Sequence, residues 1–319
     1  MLYDRMNQRI FRMAFAAAAL LVLVVSGSGQ RGRGVVARDG NVTILVTADP
    51  RNERTRAAAA GLQPEDFSVR EQKRPQKILS VKPANEAPVI MAVLIQDDLV
   101  PGVNNELGGI KKFIRGLPQG SSVMTGYLTS GSLSVQQDFT TDLARAADSL
   151  RILRSSQAGT PYNPYAGVID ALPHFDSQPE GRRMIMFVSD GLDVSQGLRN
   201  ASPRESLALD RAIAESQRHG VSAFTFYAPS IGLTSQSRIA VNYAQGSLRR
   251  FARETGGEAF FSGTSFVSFD PFLRDFKEAL GRQWLITYQS SNTGSGFRPI
   301  KVTTEAGVDL NHPAGYRVK

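Results

Sequence analysis

Seven consecutive apolar residues, Val89 to Ile95, leave this chain few folds. A strand with one wet face alternates apolar and polar side chains, so an unbroken run belongs to a strand covered on both faces. Arg183–Val188 is a second such strand, and it ends at Ser189-Asp190-Gly191. Val123–Leu128 and Val221–Tyr227 read as further strands, Ser132–Phe139 as an alternating edge strand and Glu258–Phe261 as a short one. Between them lie stretches of helical spacing. These are Leu107–Ile114, Asp142–Leu153 capped by Thr140 or Thr141, Tyr165–Leu172, Ser206–His219 stopped by Gly220, Ser247–Glu254 ended by Gly256-Gly257, and Pro271–Leu280. Strands alternating with helices predict an α/β fold with a doubly wound, mainly parallel sheet over residues 88–281.

The flanks follow a different pattern. Asn41–Ala48 alternates, with Val42, Ile44 and Val46 on one face. Short strand-like pieces follow at Phe67–Glu71 and Gln76–Val81. After residue 281, Gln283–Gln289, Arg298–Thr303 and Tyr316–Val318 read as strands with no helix between them. Segments 29–87 and 282–319 are therefore predicted to pair into a small β-sandwich beside the α/β body, with Trp284 and Tyr288 in its core.

Residues 1–28 belong to neither part. Arg5, Arg9 and Arg12 precede the apolar run Met13–Val25, and Ser26-Gly27-Ser28-Gly29 follows. The run has 13 residues, short of the roughly 20 that span a bilayer. This is the pattern of a signal peptide, and it predicts a periplasmic or secreted protein without a transmembrane helix in the mature chain.

Composition removes several function classes. The chain has no cysteine, hence no disulfide framework, thiolate metal site or cysteine nucleophile. The formal net charge of +8 is spread thinly, without the Lys/Arg blocks of nucleic-acid binders. The three histidines, His174, His219 and His312, stand far apart, which argues against a zinc site or a His-based triad. His219, at a helix C-terminus, is expected to favour partial positive charge. Gly27 to Gly32 matches G-x-G-x-x-G but follows an export segment and no strand, so it lacks the context of a dinucleotide fingerprint.

In a doubly wound sheet, ligands sit beyond the carboxyl ends of the strands. Asp97-Asp98, Gly159-Thr160 and Asp190-Gly191 lie in such loops. Their order, together with the Val89–Ile95 strand and the Met-Phe-Val-Ser-Asp-Gly block at 186–191, resembles a von Willebrand factor type A (VWA) domain. The flanks at 61–78 and 297–319 resemble those of exported VWA-related proteins of Acidobacteria. The resemblance implies a metal-ion-dependent adhesion site. There Asp-x-Ser-x-Ser, a Thr and an Asp hold Mg²⁺ or Ca²⁺, and an open position accepts a partner's carboxylate. Asp97, Thr160 and Asp190 match three of these positions. The two serine positions are Leu99 and Pro101, or Val100 and Gly102 if counted from Asp98, and none carries a hydroxyl.

The resemblance thus implies a non-enzymatic adhesion or protein-binding module with a degenerate metal site, weak or without function, and no other cofactor. A protein partner would meet a rim near Asp98, Tyr162 and Asp193. The competing reading is a Mg²⁺-dependent phosphotransferase with Asp97 as nucleophile. Enzymes of the haloacid-dehalogenase type carry a second Asp two residues on, where this chain has Leu99.

Overall fold

The computed structural model describes residues 40–50, 52–156 and 163–318. The predicted signal segment and the loop positions Thr160 and Tyr162 lie outside the described residues. The chain opens with β1 (Asn41–Asp49), α1 (Glu53–Ala60), β2 (Phe67–Glu71), β3 (Arg74–Pro75) and β4 (Lys77–Pro83). The alternating part runs β5 (Val89–Gln96), α2 (Leu107–Arg115), β6 (Ser122–Thr129), β7 (Ser132–Thr140), α3 (Leu143–Asp148) and α4 (Pro164–Ala171). It continues with β8 (Arg182–Ser189), α5 (Leu207–His219), β9 (Ser222–Tyr227), α6 (Arg238–Thr255), β10 (Ala259–Phe260) and α7 (Asp270–Gly281). Four strands close the chain: β11 (Gln283–Gln289), β12 (Gly296–Thr304), β13 (Asp309–Asn311) and β14 (Gly315–Val318).

The central sheet has the order β10-β9-β8-β5-β6-β7, all parallel except the edge strand β7. Strand β5 lies in the middle and is buried along its whole length. Its side chains alternate between two cores, as a pleated strand requires. Val89, Met91, Val93 and Ile95 meet α2, α3 and α7 through Ile110, Ile114, Ala146, Phe276 and Leu280. Ile90, Ala92 and Leu94 meet α4, α5 and α6 through Val168, Leu209, Ala244, Leu248 and Phe251. The unbroken apolar run is the direct consequence of helices on both faces. The strand order reverses between β5 and β8, which run parallel, and this is the switch point where such sheets bind ligands.

The flanking strands form two four-stranded sheets, β13-β1-β11-β4 and β14-β12-β2-β3. Each mixes strands from both ends of the chain; Asn41–Thr47 pairs antiparallel with Gln283–Gln289. One core joins them: Val42, Ile44 and Val46 from one sheet, Val69, Ile300 and Val302 from the other, with Tyr288 and Tyr316 buried between. Leu45 turns the other way and joins the α2/α7 side of the central core. Arg182, 1% exposed, ties the two parts together by donating to Gln283 Oε1, Ala87 O and Leu280 O. Burial pushes its guanidinium down to about 10.

Three local expectations change. The helix predicted over Asp142–Leu153 stops at Asp148, and residues 150–156 leave it in an irregular path. The helix predicted from Ser247 begins at Arg238, capped by the Ser237 hydroxyl on the Ala240 amide. His219 does end α5, but burial lowers its pKa, with the Asp176 carboxylate 2.9 Å away opposing. No helix among the described residues is long and apolar enough to cross a membrane.

Candidate functional site

At the carboxyl end of β5 the polar side chain of Gln96 interrupts the apolar run, fully buried. It organises the switch point. Its Oε1 accepts from Ser189 Oγ at 2.6 Å and from the Asp190 amide at 3.0 Å, so it joins the ends of β5 and β8. Its Nε2 donates to Asp98 Oδ1 at 2.7 Å. The first loop is then pinned to the segment after β9: the Val100 amide donates to Pro229 O, the Ile231 amide to Asp98 O, and Leu99 bridges Ser230. Leu99, fully buried, belongs to the α2/α7-side core. The position where the resemblance expects a hydroxyl is therefore a packing position. Pro101 starts a 3-10 turn, Pro101–Glu106.

Asp97 points into a cationic strap. Arg151 Nη1 and Nη2 donate to its two oxygens, each at 2.9 Å, and the Arg154 amide adds a third bond at 2.9 Å. Arg154 Nε stands 3.6 Å from the same carboxylate. The Arg151 guanidinium also lies 3.9 Å from the centre of the Tyr127 ring, whose hydroxyl donates to Arg151 O and accepts from its amide. Two further backbone bonds fasten the strap: the Ser155 amide to Asp97 O and the Leu153 amide to Asn104 Oδ1. Burial opposes the Asp97 charge. The Arg151 hydrogen bonds, the Arg154 amide and the Arg151 charge outweigh it, so the carboxyl lies below its ordinary value.

Asp190 has the opposite setting. It is 3% exposed and accepts from the Leu192 amide and from Thr234 Oγ1, each at 3.1 Å. Burial, and after it the Asp98 carboxylate, push it up to about 6. Asp98 is raised too, by burial first and by Asp97 as well. The Tyr227 hydroxyl is buried with no hydrogen-bond partner among the described residues, and burial first and the Asp190 charge after it raise its pKa. Gly191 is the turn residue the sequence suggests. Its φ of +72° is left-handed, and a Cβ there would stand 2.4 Å from Leu248 Cγ.

One expected rim residue lies in the interior. Asp193 is 4% exposed, with Oδ1 on the Ser195 amide and hydroxyl and Oδ2 on the Ser206 hydroxyl. Ser206 in turn caps α5 at the Leu209 amide, so Asp193 anchors a helix start and is not on the rim. Tyr165, next to the loop, is fully buried and donates to Gly191 O at 2.9 Å. Among the six residues singled out, Gln96 links Asp98 to the Asp190 amide, Asp97 faces the arginines, Asp193 is structural, and Thr160 and Tyr162 lie outside the described residues.

This donor set does not fit a divalent cation in the pattern the resemblance implies. Both Asp97 oxygens meet a guanidinium, and positions 99 and 101 offer no oxygen from their side chains. Among the described residues no group of three or more His, Cys, Asp or Glu side chains converges. The sequence reading missed Gln96, Arg151 and Thr234. Gln96 had a visible signal, as a polar residue closing an apolar strand; Arg151 had none.

A cavity of about 940 Å³ lies between α2 and α7, with Lys112, Phe113, Arg274 and Lys277 in its walls and none of these site residues.

No protein-family model matches the chain, and none of the curated proteins does. Among solved structures the chain is similar to an aerotolerance-related membrane protein from Bacteroides fragilis carrying multiple mutations to serine. That match has 15% identity and a TM-score of 0.44, and covers 61% of this chain and 98% of the other. BatB from Bacteroides thetaiotaomicron matches at 13% identity and a TM-score of 0.44, over 61% and 98% of the two chains. The N-terminal domain of TFIIH p34 matches at 11% identity and a TM-score of 0.39, over 62% and 98%. At these values the likeness carries no functional argument. The α/β class rests on the sheet itself: six strands, five of them parallel, with helices on both faces.

Proposed function

We propose that this chain is an exported, non-enzymatic binding protein of VWA-like architecture. In this reading residues 1–28 direct export, 88–281 form the VWA-like body, and 29–87 with 282–319 form the sandwich that carries it. The carboxyl end of the central sheet takes a protein partner, and no divalent cation takes part. The observation that carries this reading is the bidentate Arg151–Asp97 pair. It occupies the one first-loop carboxylate that matches the metal site of the family, and it already neutralises that charge. The same pair weighs against Asp97 as a nucleophile, since both lone-pair edges are engaged.

Site-specific photo-crosslinking tests it. A photoreactive residue is placed at Ile152, which is 73% exposed beside the strap, and in a second protein at Lys277 on α7. A discrete adduct from position 152, unchanged by EDTA and absent from position 277, is the expected result. An adduct only from position 277, or one from 152 that needs Mg²⁺ or Ca²⁺, would overturn the reading.

A further inference from the structure

The switch point is bipartite. On one side Gln96 links the two loops, donating to Asp98 Oδ1 and accepting from the Asp190 amide, while Thr234 donates to the Asp190 carboxylate. On the other side Arg151 and Arg154 stand over Asp97. Two guanidinium groups against one carboxylate leave a positive charge there. Arg151 is held rigidly by the Tyr127 ring, by Asp97 and by the Ile152 carbonyl, and its side chain is still 30% exposed. Among the described residues Arg154 makes no side-chain contact beyond the 3.6 Å approach of Nε to Asp97, and its side chain is 67% exposed. Its fork of N–H groups is open to solvent. Between them Ile152 stands exposed, so the strap presents two guanidinium groups around an apolar contact. Arginine forks bind carboxylates in two-point geometry, and arginine with apolar neighbours is the composition that interfaces favour.

We infer that the guanidinium of Arg151 stands in for the divalent cation of the VWA metal site, and that with Arg154 it makes this strap a metal-free receptor for a carboxylate of the partner. The inference rests on the proposed binding function and names the chemistry of its ligand. A divalent cation in such a site does two things: it ties neighbouring loops together, and it offers positive charge to an acidic side chain. Arg151 ties the 151–155 segment to the first loop through both oxygens of Asp97. The outward charge is then supplied by Arg154 and by the exposed edge of Arg151. Because the cation is covalently part of the chain, chelators cannot remove it, and high salt is what weakens the contact.

The test is a titration of the full chain with acetyl-tetraglutamate amide in EDTA, with acetyl-tetraglutamine amide as the neutral control. The tetraglutamate is expected to bind and the tetraglutamine not. Arg154→Gln is expected to weaken binding by about tenfold or more, the size of a charge-assisted hydrogen bond. Lys277→Gln, the same charge change on a distant helix, is expected to leave binding unchanged. Addition of Mg²⁺ or Mn²⁺ is expected to leave it unchanged as well. Arg151→Met serves as a second variant and is expected to lose binding. If it unfolds, Arg154→Gln still decides, because that side chain is exposed. No binding by the parent chain, equal weakening by Lys277→Gln, or a requirement for metal would each overturn the inference. If tetraglutamate fails while the crosslink from position 152 persists, the carboxylate ligand falls and the binding rim stands.

Discussion

Two buried carboxylates, one in the sandwich and one at the end of the central sheet, are equally hidden and behave in opposite ways. Glu71 is fully buried in the sandwich core. It accepts from Tyr288 and Tyr316 hydroxyls at 2.9 and 2.8 Å, from Ser290 Oγ at 2.9 Å and from the Asn292 amide, with Arg298 at 4.0 Å. Burial works against its charge, but these donors outweigh it, and its pKa falls below the ordinary value. Asp190 has fewer donors, a neighbouring carboxylate and no arginine among the groups that act on it, and it rises to about 6. Low exposure alone does not decide the charge of a carboxylate; the donors and charges around it weigh against the cost of burial. The sandwich is built to be satisfied. The switch point is left with an unpaired tyrosine hydroxyl and a carboxylate ready to take a proton.

The comparison breaks most visibly at Glu71. Glu71→Ala takes the shared acceptor from the Tyr288 and Tyr316 hydroxyls and the nearby carboxylate from Arg298, and is expected to cost about 3–5 kcal/mol in chemical denaturation. A loss no larger than that of a surface substitution would mean the network is filled by water. The strap comes next. Asp97→Asn leaves Arg151 without its counter-charge, and with Arg151 partly exposed the expected loss is about 2 kcal/mol. It should be seen at pH 7 and shrink as acid protonates Asp97 in the parent protein.

Asp190 sharpens the contrast through its sign. Its folded pKa lies above the unfolded one, so its contribution is fully present below the unfolded value of 3.8 and is lost as pH rises through about 6. Glu71 and Asp97, with depressed values, contribute above the unfolded pKa and lose that contribution as pH falls. Glu258, pushed up to about 7 by burial and then by Asp49, acts in the same direction as Asp190. The effect of Asp190 is therefore read as a difference. Asp190→Asn is expected to match the parent near pH 4 and to exceed it in stability near pH 7, by about 1–3 kcal/mol for a shift of about two pKa units. Equal stability of the two proteins across that range would remove Asp190 from the titrating groups. The smallest effect belongs to Arg154→Gln. An exposed ion-pair partner is expected to change stability by at most about 0.5 kcal/mol, while the tetraglutamate titration changes strongly. A large stability loss would make Arg154 a structural residue.

Much of the fold could be read locally, and the misses have physical causes. The predicted helix from Ser247 leaves out Arg238–Gly246, the first half of α6, and Gly246 stands directly before that predicted start. In the structure it lies mid-helix, where a Cβ would meet Pro203 Cγ at 2.7 Å, so glycine serves close packing there. The helix after β7 was drawn too long, because Leu150 and Leu153 continue its apolar spacing. Both are buried, but from the irregular strap. Asp193 read as a rim residue because it follows Asp190-Gly191. Its role depends on Ser206, 13 residues further on.

By itself the sequence determined the α/β class, the two-faced burial of β5, the pairing of the two chain ends in a sandwich and the loops after β5 and β8 that meet at the switch point. These follow from hydrophobic period and from the order of elements, which are properties of neighbouring residues. Only the tertiary structure decided how the carboxylates are used. Arg151 is 54 residues from Asp97 and lies outside any helix or strand, so no local pattern marks it. Whether an aspartate holds an arginine, a helix cap or a proton depends on which donors the folded chain brings within 3 Å of it.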